Sequence, residues 1–231
     1  MRLWPSRLSE GYSATLGDDL MRPALIDEAL RLGRLLAGLL PRNSEVHGLV
    51  ALMEIQASRT AARVDALGQP VLRQDQDRSR WDRFLIRRGL AALARSEALG
   101  GANGAMGPYA LQGALAACHA RSATAVATDW AQMVTLYDAL AQVAPSPVVE
   151  LNRAEAVGMA FGPAAGLELV DALGQDASLN QYPWLASVRG DLLHKLRRTQ
   201  EASAEFTRAA GLTRNARERE FLLGRAQGPK A

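Results

Sequence analysis

Apolar residues return every three or four positions along most of this chain. In "DDLMRPALIDEALRLGRLLAGLLP" they fall at Leu25, Ala29, Leu32, Leu36 and Leu39, which lie on one face of a helix. Asp18 is a start signal for that helix and Pro41 a stop. "RNSEVHGLVALMEIQASRTAAR" continues the rhythm with Val46, Leu49, Val50 and Met53, capped by Asn43 or Ser44. The short link between the two predicts an antiparallel helical hairpin. The pattern breaks at "VDALGQPVLRQ", where Val64 and Val71–Leu72 flank a turn-like Asp65–Pro70. A small β-hairpin or an extended loop is expected over residues 63–73. Helical spacing resumes from Ser79 to Leu99, and "GGANGAMG" (Gly100–Gly107) reads as a flexible joint. Further helices are expected at Pro108–Arg121, Asp129–Val143, Ser146–Phe161, Pro163–Leu173, Tyr182–Leu196, Thr199–Ala210 and Asn215–Gly224, the last with Asn215-x-x-Glu218 as a capping-box variant. Met1–Gly17 shows no clear period and reads as an irregular lead-in, with residues 18–231 as one helical domain.

The last third repeats itself. Pro147 and Pro183 each open a helix, 36 residues apart. Gly190, Ala202, Phe206 and Ala209 follow the small, small, aromatic, small order of a tetratricopeptide unit, and Ala154, Gly166 and Val170 take the equivalent places one period earlier. Small residues let paired helices approach, and the aromatic ring fills the space beside the next pair. The fold class expected is therefore all-α: about ten helices in a tetratricopeptide-like right-handed array, with irregular helices over 18–106 and the repeats over 107–231.

Composition agrees with a water-facing helical chain. Hydrophobic residues make up 48% and charged residues 22%, and only 5% are aromatic, so Ala and Leu carry the core. The net charge of +3 is spread along the chain with no basic block to follow a phosphate backbone. One cysteine, Cys118, excludes an intramolecular disulfide framework. The apolar run Leu35–Leu40 is too short to cross a bilayer, and Pro5 and Glu10 interrupt any signal-peptide core. A soluble cytoplasmic protein is expected.

One stretch stands apart. "LRQDQDRSRWDR", Leu72–Arg83, sets seven charged residues of both signs around Trp81. Asp75, Asp77 and Asp82 invite a metal reading, but Arg73, Arg78, Arg80 and Arg83 surround them and oppose a cation. A clamp explains the pattern better. Asp75 and Asp77, or Ser79, cap the helix that follows, Arg78 and Arg80 fork back onto carboxylates or loop carbonyls, and Trp81 anchors the loop from beneath. No constellation for catalysis accompanies it. His47, His119 and His194 are scattered, and Cys118 beside His119 reads as a buried thiol next to a half-exposed imidazole. No enzyme activity, cofactor or metal is expected.

Several uncommon strings in fixed order carry a resemblance. "EGYSAT" (Glu10–Thr15), "LVALME" (Leu49–Glu54), "RVDALGQPVLRQDQDRSRWDR" (Arg63–Arg83), "GPYALQGALAACHA" (Gly107–Ala120), "TDWAQMVTLYDAL" (Thr128–Leu140) and "PSPVVELNRAEAVG" (Pro145–Gly158) resemble the C-terminal extension of a group of extracytoplasmic-function RNA polymerase sigma factors. The resemblance implies a tetratricopeptide-like extension bearing an Asp-x-x-Arg motif, which fits Asp75–Arg78 or Asp77–Arg80 here. Full members carry two promoter-reading domains ahead of "EGYSAT", whereas "MRLWPSRLS" alone precedes it here. The chain is thus expected to be the extension alone, a non-catalytic regulatory domain in transcription initiation. Its partners would be proteins: sigma DNA-reading domains, core polymerase or a regulator. Specific DNA binding by this chain and membrane binding are not expected. Interaction or clamp residues are Asp75, Asp77, Arg78, Arg80, Trp81 and Asp82, with Glu10 and Tyr12 packed (together with Ser13) against the first helices. The competing reading is a small-molecule sensor with a pocket near Trp81, Trp130 and Tyr137; an enzyme on a helical scaffold ranks below both.

Overall fold

The structure, a computed structural model, describes residues 23–66, 68–100 and 106–228. Glu10, Tyr12, Ser13 and the Asp18 start signal lie outside the described residues. Ten α-helices follow one another among those described: α1 (Pro23–Leu39), α2 (Ser44–Ala57), α3 (Arg83–Leu99), α4 (Pro108–Arg121), α5 (Trp130–Val143), α6 (Pro147–Phe161), α7 (Pro163–Leu173), α8 (Pro183–Lys195), α9 (Thr199–Leu212) and α10 (Ala216–Gln227). The fold class is all-α. Where a small hairpin or an extended loop was expected over residues 63–73, the structure has a loop with one antiparallel bridge between Val64 and Pro70, among the described residues. Short 3₁₀ turns at Thr60–Ala62, Arg73–Asp75 and Arg78–Arg80 carry the chain from α2 to α3.

Contacts divide the chain into two compact units, and among the described residues the first ends at Asp129 and the second begins at Trp130. In the first, α2 is central and packs on α1, α3 and α4. That position explains its composition. Val46, Leu49, Val50, Ala51, Met53, Ile55 and Ala57 are all buried, so α2 is apolar nearly all round. Gly48 sits where the backbone of α4 presses closest: a Cβ there would lie 2.5 Å from the Ala110 amide nitrogen. Helix α4, the first helix of the stretch expected to carry the repeats, packs on α2 within the first unit.

Helix α1 buries a stripe that shares Ala29 with the expected one and otherwise differs from it. Ile26, Ala29, Leu30 and Gly33 face α2, while Leu35 and Leu39 are exposed and Leu25, Leu32 and Leu36 are half-buried. A Leu/Ala-rich helix carries two overlapping apolar stripes. Gly33, against which the Met53 side chain fits, selects one of them. The second unit is built around Leu151, Ala154, Leu167, Val170, Leu185, Leu193, Ala202, Phe206 and Ala209. Successive helices pack in order from α5 to α10, and the Phe206 ring occupies the space left by the missing side chain of Gly190.

Candidate functional site

The Leu72–Arg83 segment forms a clamp in the first unit. Asp77 caps the 3₁₀ turn after it, accepting from the Ser79 amide at 2.9 Å. Asp82 caps α3, accepting from the Phe84 and Leu85 amides at 2.8 and 3.0 Å. The sequence had given the α3 cap to Asp75, Asp77 or Ser79. The helix starts later, at Arg83, because the 3₁₀ turn at Arg78–Arg80 is followed by extended backbone at Trp81. Asp75 is exposed and caps nothing among the described residues. The Ser79 hydrogen bonds hold the Asp77 carboxyl below the usual carboxylate range.

Arg78 is the centre of the clamp. Its Nη1 donates to the carbonyls of His119 and Ser122, both at 2.7 Å, and its Nη2 donates to Thr128 Oγ1 at 3.1 Å. These acceptors lie at the C-terminal end of α4 and in the loop beyond it, where helical carbonyls lack intrahelical partners and the dipole favours a cation. Burial, with the nearby charge of Arg73, pushes the Arg78 pKa down. Trp81 is buried, with the Arg78 and Arg59 guanidiniums 5.1 and 5.4 Å from its ring centroid. Its Nε1 finds no hydrogen-bond acceptor. Gln76 ties the assembly together, accepting from Arg59 Nε and donating to the Val71 carbonyl. Arg80 is exposed and outside the clamp. Of the two settings of the Asp-x-x-Arg pattern, Asp75–Arg78 therefore pairs an exposed carboxylate with the buried clamp arginine, and Asp77–Arg80 pairs a cap with an exposed guanidinium.

His119 is buried, not half-exposed, and Arg73 Nη1 lies 3.0 Å from its Nε2. Burial first, then the charges of Arg73, Arg59 and Arg78, push its pKa down to about 2, so the imidazole is neutral. Burial also pushes the Cys118 thiol up, away from thiolate. Among the described residues no group of three or more His, Cys, Asp or Glu side chains is placed to hold a metal ion. No helix among them is long and apolar enough to cross a membrane.

Two carboxylates complete the first unit, and neither was singled out in the sequence. Glu54, buried in α2, accepts from Arg34 of α1 at 2.8 Å and from Arg88 of α3 at 3.2 Å. Glu45 reaches across to the N-terminus of α4 and accepts from the Tyr109 and Ala110 amides at 2.9 and 3.1 Å. Helix α4 needs this outside cap because its own N-cap is Gly107, which has no side chain. The only advance signal was a carboxylate inside an otherwise apolar stretch, "LVALME".

In the second unit Trp130 and Tyr137 are half-buried on α5. A cleft of about 510 Å³ opens elsewhere in that unit, lined by Val170, Asp171, Leu185, Arg189, Glu205 and Arg208 among others. Its charges pair with one another: Arg189 bridges Asp171 and Glu205, and Arg208 also binds Glu205.

Comparison with known proteins adds the following. Residues 8–97 match a protein family described as a family of unknown function, DUF6596. An uncharacterized protein of Rhizobium meliloti (strain 1021) is 44% identical over 214 residues, covering 93% of this chain and 49% of the relative. The chain thus spans about half the length of the curated relative it matches. No solved structure matches it.

Proposed function

We propose that this chain is a non-catalytic protein-interaction domain of the kind appended to extracytoplasmic-function sigma factors, acting in the control of transcription initiation. The carrying observation is the use made of the Leu72–Arg83 residues. The buried Arg78 and Gln76 side chains tie this segment to the end of α4 and to Arg59 after α2, and the imidazole and thiol beside it are held neutral. A rigid scaffold with its reactive groups muted suits docking better than turnover. Similarity over most of this chain to half of a longer relative fits an appended domain.

The second unit is, in this reading, a tetratricopeptide-like array. Pro147 and Pro183 both occupy the first position of their helices, and Ala154 and Gly190, one period apart, are both buried against the following helix. The partners are proteins of the cytoplasmic transcription apparatus: sigma DNA-reading domains, core polymerase or a regulator of either. The polar segment serves as scaffold and sets the shape that a partner meets. The test is a pull-down with the full chain as bait, with and without separately expressed sigma DNA-reading domains and core polymerase. Retention of either, stable to washing at physiological salt, is expected. Failure to retain both, alongside binding of this chain to one defined promoter sequence, would overturn the assignment.

A further inference from the structure

Helix α3 has two faces of opposite character. Ile86, Gly89, Leu93 and Ser96 are buried toward the unit's interior. At 100° per residue, the opposite side carries Arg83, Phe84, Arg87, Arg88, Ala91, Ala94 and Arg95, and all seven are exposed. The helix has four arginines and a single carboxylate, Glu97, in its last turn. Arg88 is committed to Glu54 and lies 5.5 Å from the Phe84 ring centroid. Arg83, Arg87 and Arg95 hold no ion pair among the described residues. Phe84 is 56% exposed despite its size.

We propose that this outward face of α3 is a docking surface for an acidic helix of a partner protein. The proposal deepens the protein-interaction reading above and rests on it. Arg83 and Arg95 are about 18 Å apart along the helix axis, the length of a little more than three helical turns. Between them Ala91 and Ala94 form a low floor on which a second helix can lie close. Arg83 and Arg87 stand at one end and Arg95 at the other, spaced to fork onto carboxylates, and Phe84 supplies an apolar anchor beside them.

A nucleic-acid strand fits the same face poorly. The exposed carboxylates of Asp75, Asp77 and Asp82 lie in the segment leading into α3 and oppose a continuous phosphate backbone. Three unpaired arginines neutralise too few phosphates to hold a strand at physiological salt. A protein surface of predominantly acidic but mixed charge meets the whole pattern.

The experiment places a photo-crosslinking amino acid at Ala91 of the full chain, expressed in bacterial cells, with the same group at exposed Gln142 as control. Adducts are isolated and the attached segment is sequenced. The expected adduct at Ala91 is a protein segment with three or more Asp or Glu residues within about three helical turns, absent from the control. The double variant Arg83→Glu/Arg87→Glu is expected to lower its yield about tenfold or more. That variant adds negative charge to the first turns of α3, where the dipole favours it, so its thermal melt is expected to stay at or above the parent value. A missing adduct, an adduct with nucleic acid, a segment without acidic excess, or a yield indifferent to the double variant would each overturn the proposal. An acidic segment from a protein outside the transcription apparatus would keep the surface and remove the proposed function. Retention of sigma domains or core polymerase without the Ala91 adduct would do the reverse.

Discussion

Truncating Arg78 is expected to cost more stability than truncating any other polar side chain in the Leu72–Arg83 segment. Its two 2.7 Å bonds to the His119 and Ser122 carbonyls are charge-assisted, and each such bond contributes about 1.5–3 kcal/mol net. Its position over Trp81 adds about 0.5–2 kcal/mol. Against this stands the desolvation of the guanidinium and its repulsion from Arg73, the causes that lower its pKa. The net expectation for Arg78→Ala is a loss of about 2–4 kcal/mol, because one buried and one partly buried carbonyl also lose their donor. Arg78→Met separates the contributions: its stem still covers Trp81, yet both carbonyls are stranded, so most of the loss should remain. In urea the loss corresponds to a fall of about 1–2 M in the midpoint of the first unit's transition, at an m-value near 2 kcal/mol/M. Trp81 fluorescence at its buried position reports that transition, with the background Trp4→Phe/Trp130→Phe/Trp184→Phe leaving Trp81 as the single tryptophan. A midpoint for Arg78→Ala within about 0.3 M of the parent would refute the clamp. So would a loss no greater than that of Asp77→Ala, whose exposed side chain caps a single 3₁₀ turn.

Other expectations come from the same unit. Glu45→Ala removes the outside cap of α4 and is expected to cost about 1–2 kcal/mol, with Glu45→Gln milder because one acceptor oxygen remains; equal losses for the two would refute capping. Gly48→Ala drives a methyl into the α4 backbone and is expected to lower the melting temperature steeply, while Gly38→Ala, which meets nothing within 4 Å, should raise it by helix propensity; matching shifts in a thermal scan would be inconsistent with the close α2–α4 approach. For His119, the unfolded chain takes up a proton near pH 6.5 and the folded chain not until about 2. The unfolded state therefore binds more protons between these values, so the contribution is fully present above pH 6.5 and is lost as pH falls toward 2. His119→Gln should flatten the rise in urea midpoint between pH 5 and 7, and parallel profiles would contradict the buried neutral imidazole.

The repeating apolar positions were enough to identify the fold class and nearly every helix, because a 3.6-residue period, prolines at first turns and Asn caps are local signals. Of the two cap candidates Asn43 and Ser44, Asn43 caps α2, Asn215 caps α10 as expected, and Pro147 and Pro183 open their helices. The polar segment around Trp81 was recognisable as a clamp by its composition, and Arg78 as a member. Which residue did what was not legible. Asp82 rather than Asp77 caps α3, Arg80 stays outside, and two of the acceptors of Arg78 are backbone carbonyls 41 and 44 residues away, which no side-chain pattern encodes. Backbone groups become available only where a helix ends in space beside the guanidinium. The same holds for Glu45 and Glu54, whose partners sit on neighbouring helices. On α1 the composition allowed two apolar stripes, and only the approach of Met53 to Gly33 decided which is buried. Local periodicity determines that helices form; the pairing of their ends and faces is a property of packing, where a missing Cβ or one buried charge outweighs the pattern.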